Sequence, residues 1–305
     1  MNLREIISKF ENQNSEFHSV IIGKDDTIIE GLNLCNRKSI CNKVLSYAVS
    51  SNYMDIVNEA KHIRALIVKP ENKDNYLDIL QKRDGALICT DKPEYYFYKL
   101  HEFLYLMTDF YSKYDFESII GKNCNIDKTA VIERGVIIGD NVTIGALTVI
   151  KHGTTIEDNV IIGSNSTIGS EGFQLITGEE MAQMHVIHAG GCYISKNVYI
   201  GDNTCICNSL FEGHTFIGEN VKIDNLVHVA HNLYVGNNAV ITAHVILCGS
   251  SIVEEGAWLA PNVSVTNKVI IGKYSKVGLG SVVTKDVPPY AIVYGNPARE
   301  HGLIK

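Results

Sequence analysis

Aliphatic residues return at every sixth position along much of the chain. The first run contains Ile120, Ile126, Ile132, Ile138, Ile144, Ile150, Ile156, Ile162 and Ile168, and it resumes at Ile194, Ile200 and Ile206. A second run, reset by one residue, contains Ile217, Ile223, Val229, Val235, Ile241, Leu247, Val253, Leu259, Val265, Ile271, Val277 and Val283. A helix repeats at about 3.6 residues and a strand at about 2, so neither explains this period. The pattern predicts short strands joined by fixed turns, which is a solenoid.

Three hexads make one triangular coil, and each strand of a coil pairs with the coil below it. The sixth-position aliphatic points inward, and stacked coils bury a continuous apolar column. The Gly or Asn that follows carries the backbone through a corner, which can require a positive φ. We therefore predict a mainly β fold, a parallel β-helix. Such a frame does not by itself imply catalysis.

The pattern differs before and after the hexads, and we predict four segments. These are an N-terminal helix over 1–19, a small α/β domain over 20–116, the β-helix over 117–287 with a projecting loop at 170–193, and an extended tail over 288–305. In the helix, Leu3, Ile6, Ile7 and Phe10 share one face. Strands are expected at Val20–Ile22, Arg64–Val68 and Gly85–Cys89, and helices at Tyr53–His62, Asp74–Gln81 and Tyr95–Tyr111.

Composition mainly excludes classes of protein. The net charge of −7 argues against a general nucleic-acid binder. No apolar run is long enough for a membrane span, and Met1–Phe10 lacks the core of a signal peptide, so we predict a cytoplasmic protein. Eight cysteines without a CxxC pair favour reduced thiols over a disulfide or zinc framework. No HxxxxH spacing occurs, and we predict no metal site.

The residues around His231 are the strongest candidates for chemistry. His231 follows the inward Val229 by two positions, so its side chain is expected to leave the wall of the solenoid. Gly249 stands eighteen residues later, one coil on, which stacks it against His231 at about 4.8 Å. A base beside a bare backbone amide suits acyl transfer, which needs a proton acceptor and an oxyanion donor. An ordinary surface histidine is the alternative at this position, and it is the expected role of His214 and His244.

These residues resemble the hexapeptide-repeat acyltransferases, in particular the UDP-3-O-acylglucosamine N-acyltransferases of lipid A synthesis. The likeness is carried by Ile223-Asp224-Asn225, Ala230-His231-Asn232, Gly249-Ser250 and Gly172-Phe173. It implies a left-handed β-helix, a homotrimer with active sites between subunits, His231 as general base and Gly249 as oxyanion donor. It also implies that Tyr47 and Tyr53 hold the base of a sugar nucleotide, and that Asn225 and Phe173 contact the substrate. His228 stands where the family has a Gln near the general base, and its position close to His231 makes it a further candidate for contact with the substrate.

The chain departs from that pattern at several positions. Asn267 and Lys268 stand where a second histidine is expected, His188-Ala189 replaces Pro-Gln, and Cys207–Leu210 replaces Asp-Arg-Gly-Ala. The C-terminal part is instead similar to hexapeptide acetyltransferases that use acetyl-coenzyme A. That likeness implies that Gly280 and Ser281 contact the pantetheine arm and that Lys285 and Arg299 meet the phosphates. Solvated tail charge is the alternative for the two cations.

We therefore predict a cytoplasmic, homotrimeric N-acyltransferase. It would transfer an acetyl or short acyl group from acyl-coenzyme A to the amine of a nucleotide-linked amino sugar, in the synthesis of a bacterial surface polysaccharide. One alternative is the lipid A enzyme itself, with acyl carrier protein as donor. The other is a sugar-nucleotide-binding solenoid without turnover. No nucleic-acid partner and no membrane insertion are expected.

Overall fold

The computed structural model describes residues 1–37, 39–178 and 182–304, which divide into two compact units. The first unit contains Met1–Ser112 and Gln174–Ile187, and the second contains Lys113–Phe173 and the chain from His188 onward. The middle of the predicted loop at 170–193 therefore belongs to the first unit. It forms an antiparallel hairpin of Leu175–Thr177 and Gln183–His185.

The first unit is built on a five-stranded sheet. The strands lie in the order Val20–Gly23, Ala86–Cys89, Ile63–Val68, Val44–Ala48 and Gly31–Leu32. Only the first pair is antiparallel. The helices are Leu3–Gln13, Met54–Glu59, Lys73–Gln81 and Pro93–Met107, with short 3₁₀ turns at Ser51–Tyr53 and Pro70–Asn72.

The sequence pattern located most of these elements. The predicted face of the first helix is confirmed, because Leu3, Ile6, Ile7 and Phe10 are its buried residues. The interior strand Val44–Ala48 was not predicted. Four of its five residues are buried, so it lacks the alternation of buried and exposed positions that marks a strand with one wet face.

The second unit is a left-handed parallel β-helix with three walls. The first wall contains Ile119–Ile120, Ile137–Ile138, Thr154–Ile156, Gly191–Ile194, His214–Ile217, Tyr234–Val235, Ile252–Val253 and Ile270–Ile271. The second contains Asn125–Ile126, Thr143–Ile144, Ile161–Ile162, Tyr199–Ile200, Lys222–Ile223, Val240–Ile241, Trp258–Leu259, Lys276–Val277, Ala291–Tyr294 and Arg299–Leu303. The third contains Val131–Ile132, Val149–Ile150, Thr167–Ser170, Cys205–Cys207, His228–Val229, Ile246–Leu247, Ser264–Val265 and Val282–Val283.

Asparagines, more than glycines, turn the chain at the corners. Asn141, Asn159, Asn197, Asn220 and Asn238 each have a φ of 58–60°, and their carboxamides form a ladder with steps of 3.2 Å. The glycine after an inward aliphatic often serves another purpose. Gly139 has no positive φ, but a Cβ there would lie 2.4 Å from Asp158 Oδ1 in the next coil. Close approach of the coils therefore requires glycine at that position.

The two ends of the solenoid differ from the prediction. Ile120 occupies an inward hexad position but is 48% exposed, because this unit has no earlier coil to cover it. At the other end, the predicted extended tail forms strands. Ala291–Tyr294 pairs in parallel with Lys276–Val277, and Arg299–Leu303 pairs back in antiparallel fashion. Proline has no N–H to donate to a strand ladder, but Pro288 and Pro289 both precede the first of these strands. The N–H groups of the strand itself can therefore still pair.

In the part of the chain that the structure describes, no helix combines the length and the apolar character that crossing a membrane requires.

Candidate functional site

The predicted base lies at a corner of the solenoid, directly after a strand of the third wall. Val229 ends that strand with its side chain in the apolar column, and Asn232 turns the chain with a φ of 59°. His231 stands between them. Its side chain is outside the apolar column but only 8% exposed. Other residues therefore cover the ring, and they determine its chemistry.

The carboxamide of Asn232 decides which nitrogen of His231 can act as a base. Its Oδ1 accepts a hydrogen bond from the Leu210 backbone N–H at 3.0 Å, and its Nδ2 donates to Ser209 Oγ at 2.6 Å, which fixes its orientation. His231 Nδ1 lies 2.9 Å from the same Oδ1. Because an amide oxygen only accepts, Nδ1 must carry the proton. In the neutral ring, Nε2 is then the basic nitrogen.

Gly249 lies beside that basic nitrogen, one coil further on. A Cβ added to Gly249 would come within 2.7 Å of His231 Nε2, so any other residue would displace the ring. The two coils are joined at this point by the Ser250 N–H, which donates to the His231 carbonyl at 2.9 Å. Among the described residues, the Gly249 N–H donates no backbone hydrogen bond. The predicted stacking of His231 and Gly249 is confirmed, and a backbone donor is available there.

His188 is a candidate site residue that the sequence pattern did not identify. It is 3% exposed, and its ring meets the His231 ring edge to face, with centroids 5.3 Å apart. Gly172 makes room for this pair. A Cβ there would lie 2.5 Å from His188 Nε2 and 3.1 Å from His231 Cβ. The available signal was the replacement of the family's Pro-Gln by His188-Ala189, which we noted only as a departure.

The segment that replaces the family's Asp-Arg-Gly-Ala supports this arrangement. Asn208 is buried and donates through Nδ2 to the carbonyls of His188 and Gly190, at 3.3 and 3.2 Å. Ser209 and Leu210 supply the two bonds that orient Asn232. The substituted residues therefore hold the two histidines in place.

The other predicted substrate contacts lie in different surroundings. Asn225 is at a corner, where its Oδ1 accepts from the Asp202 N–H of the preceding coil at 2.6 Å, so its carboxamide is engaged within the solenoid. Phe173 follows Gly172 and is 81% exposed, as a residue that contacts a ligand can be. His228 is exposed on the third wall, where its register partner is Cys205.

The predicted coenzyme residues lie in the last coils and divide into two kinds. The Ser281 hydroxyl is buried, donates to the Gly278 carbonyl at 2.6 Å and accepts from the Gly295 N–H at 3.2 Å. Its backbone is engaged as well, because the Ser281 N–H donates to the Gly278 carbonyl at 3.3 Å and the Ser281 carbonyl accepts from the Ser264 N–H at 2.9 Å, so the expected contact with a pantetheine arm stays a prediction. Gly280 has a φ of 64° and no heavy atom within 4 Å of an added Cβ. Lys285 and Arg299 are exposed, as phosphate contacts require.

Tyr47 and Tyr53 both lie in the first unit. Tyr47 is half-buried, with ring centroids 5.0 Å from Phe97 and 5.9 Å from Tyr98. Its hydroxyl donates to Glu94 Oε1 at 2.8 Å, and burial raises the pKa of Tyr47 well above its ordinary value. Tyr53 packs against the apolar core of the unit. Their role in holding a nucleotide base stays a prediction.

A cleft in the same unit lies next to Tyr47. It encloses about 410 Å³ and is lined by residues that include Lys69, Asp91, Lys92, Glu94 and Tyr95. Glu94 is also the acceptor of the Tyr47 hydroxyl, so the tyrosine reaches the cleft through this carboxylate. The cleft thus places two lysines and an aromatic ring beside two carboxylates, Asp91 and Glu94.

Comparison with protein families identifies the solenoid. Residues 117–152, 137–170 and 214–249 match "Bacterial transferase hexapeptide (six repeats)". The second unit is therefore similar to that family over these ranges, and it is called the hexapeptide-repeat domain below. The last matched range of this hexapeptide-repeat domain contains both His231 and Gly249.

Two curated relatives of the chain share one name. The UDP-3-O-acylglucosamine N-acyltransferase of Caulobacter sp. is 36% identical over 136 residues, which are 45% of this chain and 39% of that protein. The enzyme of the same name from Methylobacterium nodulans is 38% identical over 132 residues, 43% of this chain and 37% of its own length. The chain thus spans about two fifths of the length of these relatives.

Solved structures share the fold. The UDP-N-acetylglucosamine acyltransferase of Campylobacter jejuni has a TM-score of 0.54 at 23% identity, over 61% of this chain and 70% of that one. The UDP-N-acetylglucosamine acyltransferase of Bacteroides fragilis has a TM-score of 0.53 at 27% identity, over 63% and 74%. The architecture of the hexapeptide-repeat domain is thus that of known acyltransferases.

Proposed function

We propose that this protein is an N-acyltransferase that moves an acyl group from a thioester to the amine of a nucleotide-linked amino sugar. The observation that carries the proposal is the corner where His231 Nε2 faces Gly249, with the ring tautomer fixed through Asn232. The relatives and the solved structure from Bacteroides fragilis are named as acyltransferases of UDP-linked sugars, which supports the same class of reaction.

The chemistry follows from this geometry. His231 Nε2 removes a proton from the sugar amine as its nitrogen attacks the thioester carbonyl, forming a C–N bond. The Gly249 N–H donates to the oxyanion of the tetrahedral intermediate. The C–S bond then breaks, and the proton held by His231 passes to the departing thiolate. His188, packed on the His231 ring, limits the positions that the ring can take.

We assign the nucleotide part of the acceptor to the cleft of the first unit. Lys69 and Lys92 would meet the diphosphate, and Tyr95 offers a ring beside them. Tyr47 supports the cleft through Glu94. Tyr53 would complete the site for the base, as the family resemblance implies.

For the donor we propose acyl-coenzyme A, bound at the last coils. The coil of Gly280 and Ser281 would lie beside the pantetheine arm, and Lys285 and Arg299 would meet the phosphates. The alternative donor is acyl carrier protein, because the chain resembles the lipid A N-acyltransferases and two relatives carry the name UDP-3-O-acylglucosamine N-acyltransferase. Turnover measured separately with acyl-coenzyme A and with an acyl carrier protein thioester distinguishes the two donors.

We further propose a homotrimer in the cytoplasm. No disulfide joins any of the eight cysteines, all of which lie in the described residues, and this fits a reducing compartment. The third wall exposes Val131 and Ile246, aliphatic residues that a neighbouring subunit could cover. Light scattering on the active protein at micromolar concentration should give three chains per particle, and an active monomer would contradict this.

The decisive experiment measures thiol release from acetyl-coenzyme A, and separately from an acyl carrier protein thioester, with a panel of UDP- and TDP-linked amino sugars. Turnover of one sugar with wild-type protein and not with His231→Ala supports the proposal. Turnover only with the carrier protein would replace coenzyme A as donor. Tight binding of a sugar nucleotide with no thiol release from either donor would mean a binding solenoid without catalysis.

A further inference from the structure

Three soft ligand side chains meet on the outer face of the third wall. They are Cys205, Cys207 and His228, and the Sγ atoms and one imidazole nitrogen all lie within 4.8 Å of one another. Within the ranges 1–37, 39–178 and 182–304, this is the one group of three or more His, Cys, Asp or Glu residues so placed. Neither the hexad pattern nor the proposed acyl transfer uses it.

The β-helix brings the three residues together through strand alternation and register. Cys205–Cys207 and His228–Val229 are neighbouring parallel strands in which Cys205 lies opposite His228. Ile206 and Val229 point into the apolar column, so the residues beside them point outward. Cys207 is buried, Cys205 is half-buried and His228 is exposed. The cluster thus has a closed inner side and an open outer side.

We propose that this cluster binds a zinc ion through two thiolates and one imidazole. In a tetrahedral site, Zn–S bonds of about 2.3 Å and Zn–N bonds of about 2.1 Å place the ligand atoms roughly 3.5–3.8 Å apart. The observed limit of 4.8 Å is larger by about 1 Å, which side-chain rotation can close. Two sulfurs and a nitrogen are donors that select zinc over magnesium or calcium.

The fourth position would be left to water or to a ligand from outside. His, Cys, Asp and Glu residues of the described chain add no fourth ligand to the group. His228, the exposed member, lies at the open side of the cluster. Three protein ligands and one open position are the arrangement of zinc sites that take part in binding or catalysis, whereas purely structural sites use four protein ligands.

Zinc binds cysteine as the thiolate, so metal binding to Cys205 and Cys207 should release protons and weaken as the pH falls.

The test uses the reduced, chelator-treated full-length protein with Co²⁺ as a spectroscopic substitute for Zn²⁺. One equivalent of Co²⁺ should produce the intense near-ultraviolet thiolate-to-metal band and the visible bands of a tetrahedral ion, and Zn²⁺ should abolish them. Cys205→Ser and His228→Asn should each weaken Zn²⁺ binding at least about 10-fold, by competition with a chromophoric chelator.

Matched controls remove a thiol and an imidazole elsewhere on the same solenoid. Cys124→Ser removes a thiol from an early coil. His244→Asn removes an imidazole and introduces an asparagine, which tolerates the positive φ of that position. Both should retain wild-type binding, and circular dichroism of all four variants should show intact folds. The absence of thiolate bands in wild-type protein would overturn the proposal, as would equal loss in cluster and control variants. Because the readout is metal binding, its failure would leave the proposed acyl transfer untouched.

Discussion

The corner that holds His231 and the coil that carries Lys285 are built in opposite ways on the same solenoid. At the corner, both histidine rings are buried, and Asn232 is fixed by Leu210 and Ser209. In the last coils the polar side chain of Ser281 is buried and engaged, whereas the cations are exposed.

The difference indicates what each region can do. Proton transfer requires that one ring nitrogen is held at a fixed distance from the reacting atoms. The buried hydrogen bonds at the corner can hold the His231 ring in this way. Phosphate groups can be met by exposed cations that adjust their side chains on binding. Changes at the corner should therefore lower kcat, whereas changes in the last coils should raise KM for the donor.

The largest effect is expected from His231→Ala. Removal of the general base should lower kcat by about 10²–10⁴-fold with little change in either KM, because the ring acts on the proton and not on ground-state binding. Steady-state kinetics with both substrates varied would measure this. His244→Asn is the control and should keep wild-type kcat. Near-normal turnover by His231→Ala would place the base elsewhere.

The second prediction concerns the tautomer of His231. In Asn232→Asp the carboxylate can still accept from His231 Nδ1 and the Leu210 N–H, but its charge favours the imidazolium and raises the pKa of the ring. The ascending limb of kcat/KM against pH should then move up by about one unit. Asn232→Gly keeps a residue suited to the positive φ but loses the bond, and kcat should fall about 10-fold. An unshifted limb in Asn232→Asp would show that this contact does not control the base.

The third prediction tests the last coils. Lys285→Ala with Arg299→Ala should raise KM for acyl-coenzyme A by about 3- to 30-fold, since exposed charge contacts are worth about 0.3–1 kcal/mol each. The kcat and the KM for the sugar nucleotide should stay unchanged, and added salt should reduce the difference. Lys128→Ala, at the opposite end of the solenoid, is the charge control. A fall in kcat instead would break the contrast between the two regions.

The smallest effect is expected in the first unit. Tyr47→Ala should raise KM for the sugar nucleotide by about 2- to 12-fold, which corresponds to a ring contact of about 0.5–1.5 kcal/mol. Tyr47→Phe keeps the ring and removes only the bond to Glu94, so it should recover most of that loss. Isothermal titration with the sugar nucleotide would separate the variants. Equal weakening of donor and acceptor would identify Tyr47 as a packing residue.

Much of the fold could be predicted because its rules are local. An inward aliphatic every six residues specifies short strands and corners, and the burial of Ile144, Ile200 and Leu247 confirms it. The strand Val44–Ala48 was missed because an interior parallel strand is buried on both faces and leaves no alternation. The end strand Ala291–Tyr294 was missed because we took the prolines before it as a stop.

Within the site, the separation of residues along the chain explains both the contact that was predicted and the contacts that were missed. Gly249 could be placed beside His231 because one regular coil of eighteen residues separates them. Cys205 and His228 are 23 residues apart, and that coil is longer by the insertion around Asn208–Gly213. His188 lies 43 residues before His231, across two irregular connections. Period alone cannot give the register across an insertion.

The sequence by itself determined the solenoid, its inward column and the pairing of His231 with Gly249, because a fixed period converts separation along the chain into position in space. Only the tertiary structure decided the tautomer of His231, the packing of His188 on its ring and the meeting of Cys205 and Cys207 with His228. Those contacts depend on where the chain re-enters the solenoid after an irregular connection. Packing and hydrogen bonds between residues far apart in the sequence determine that position.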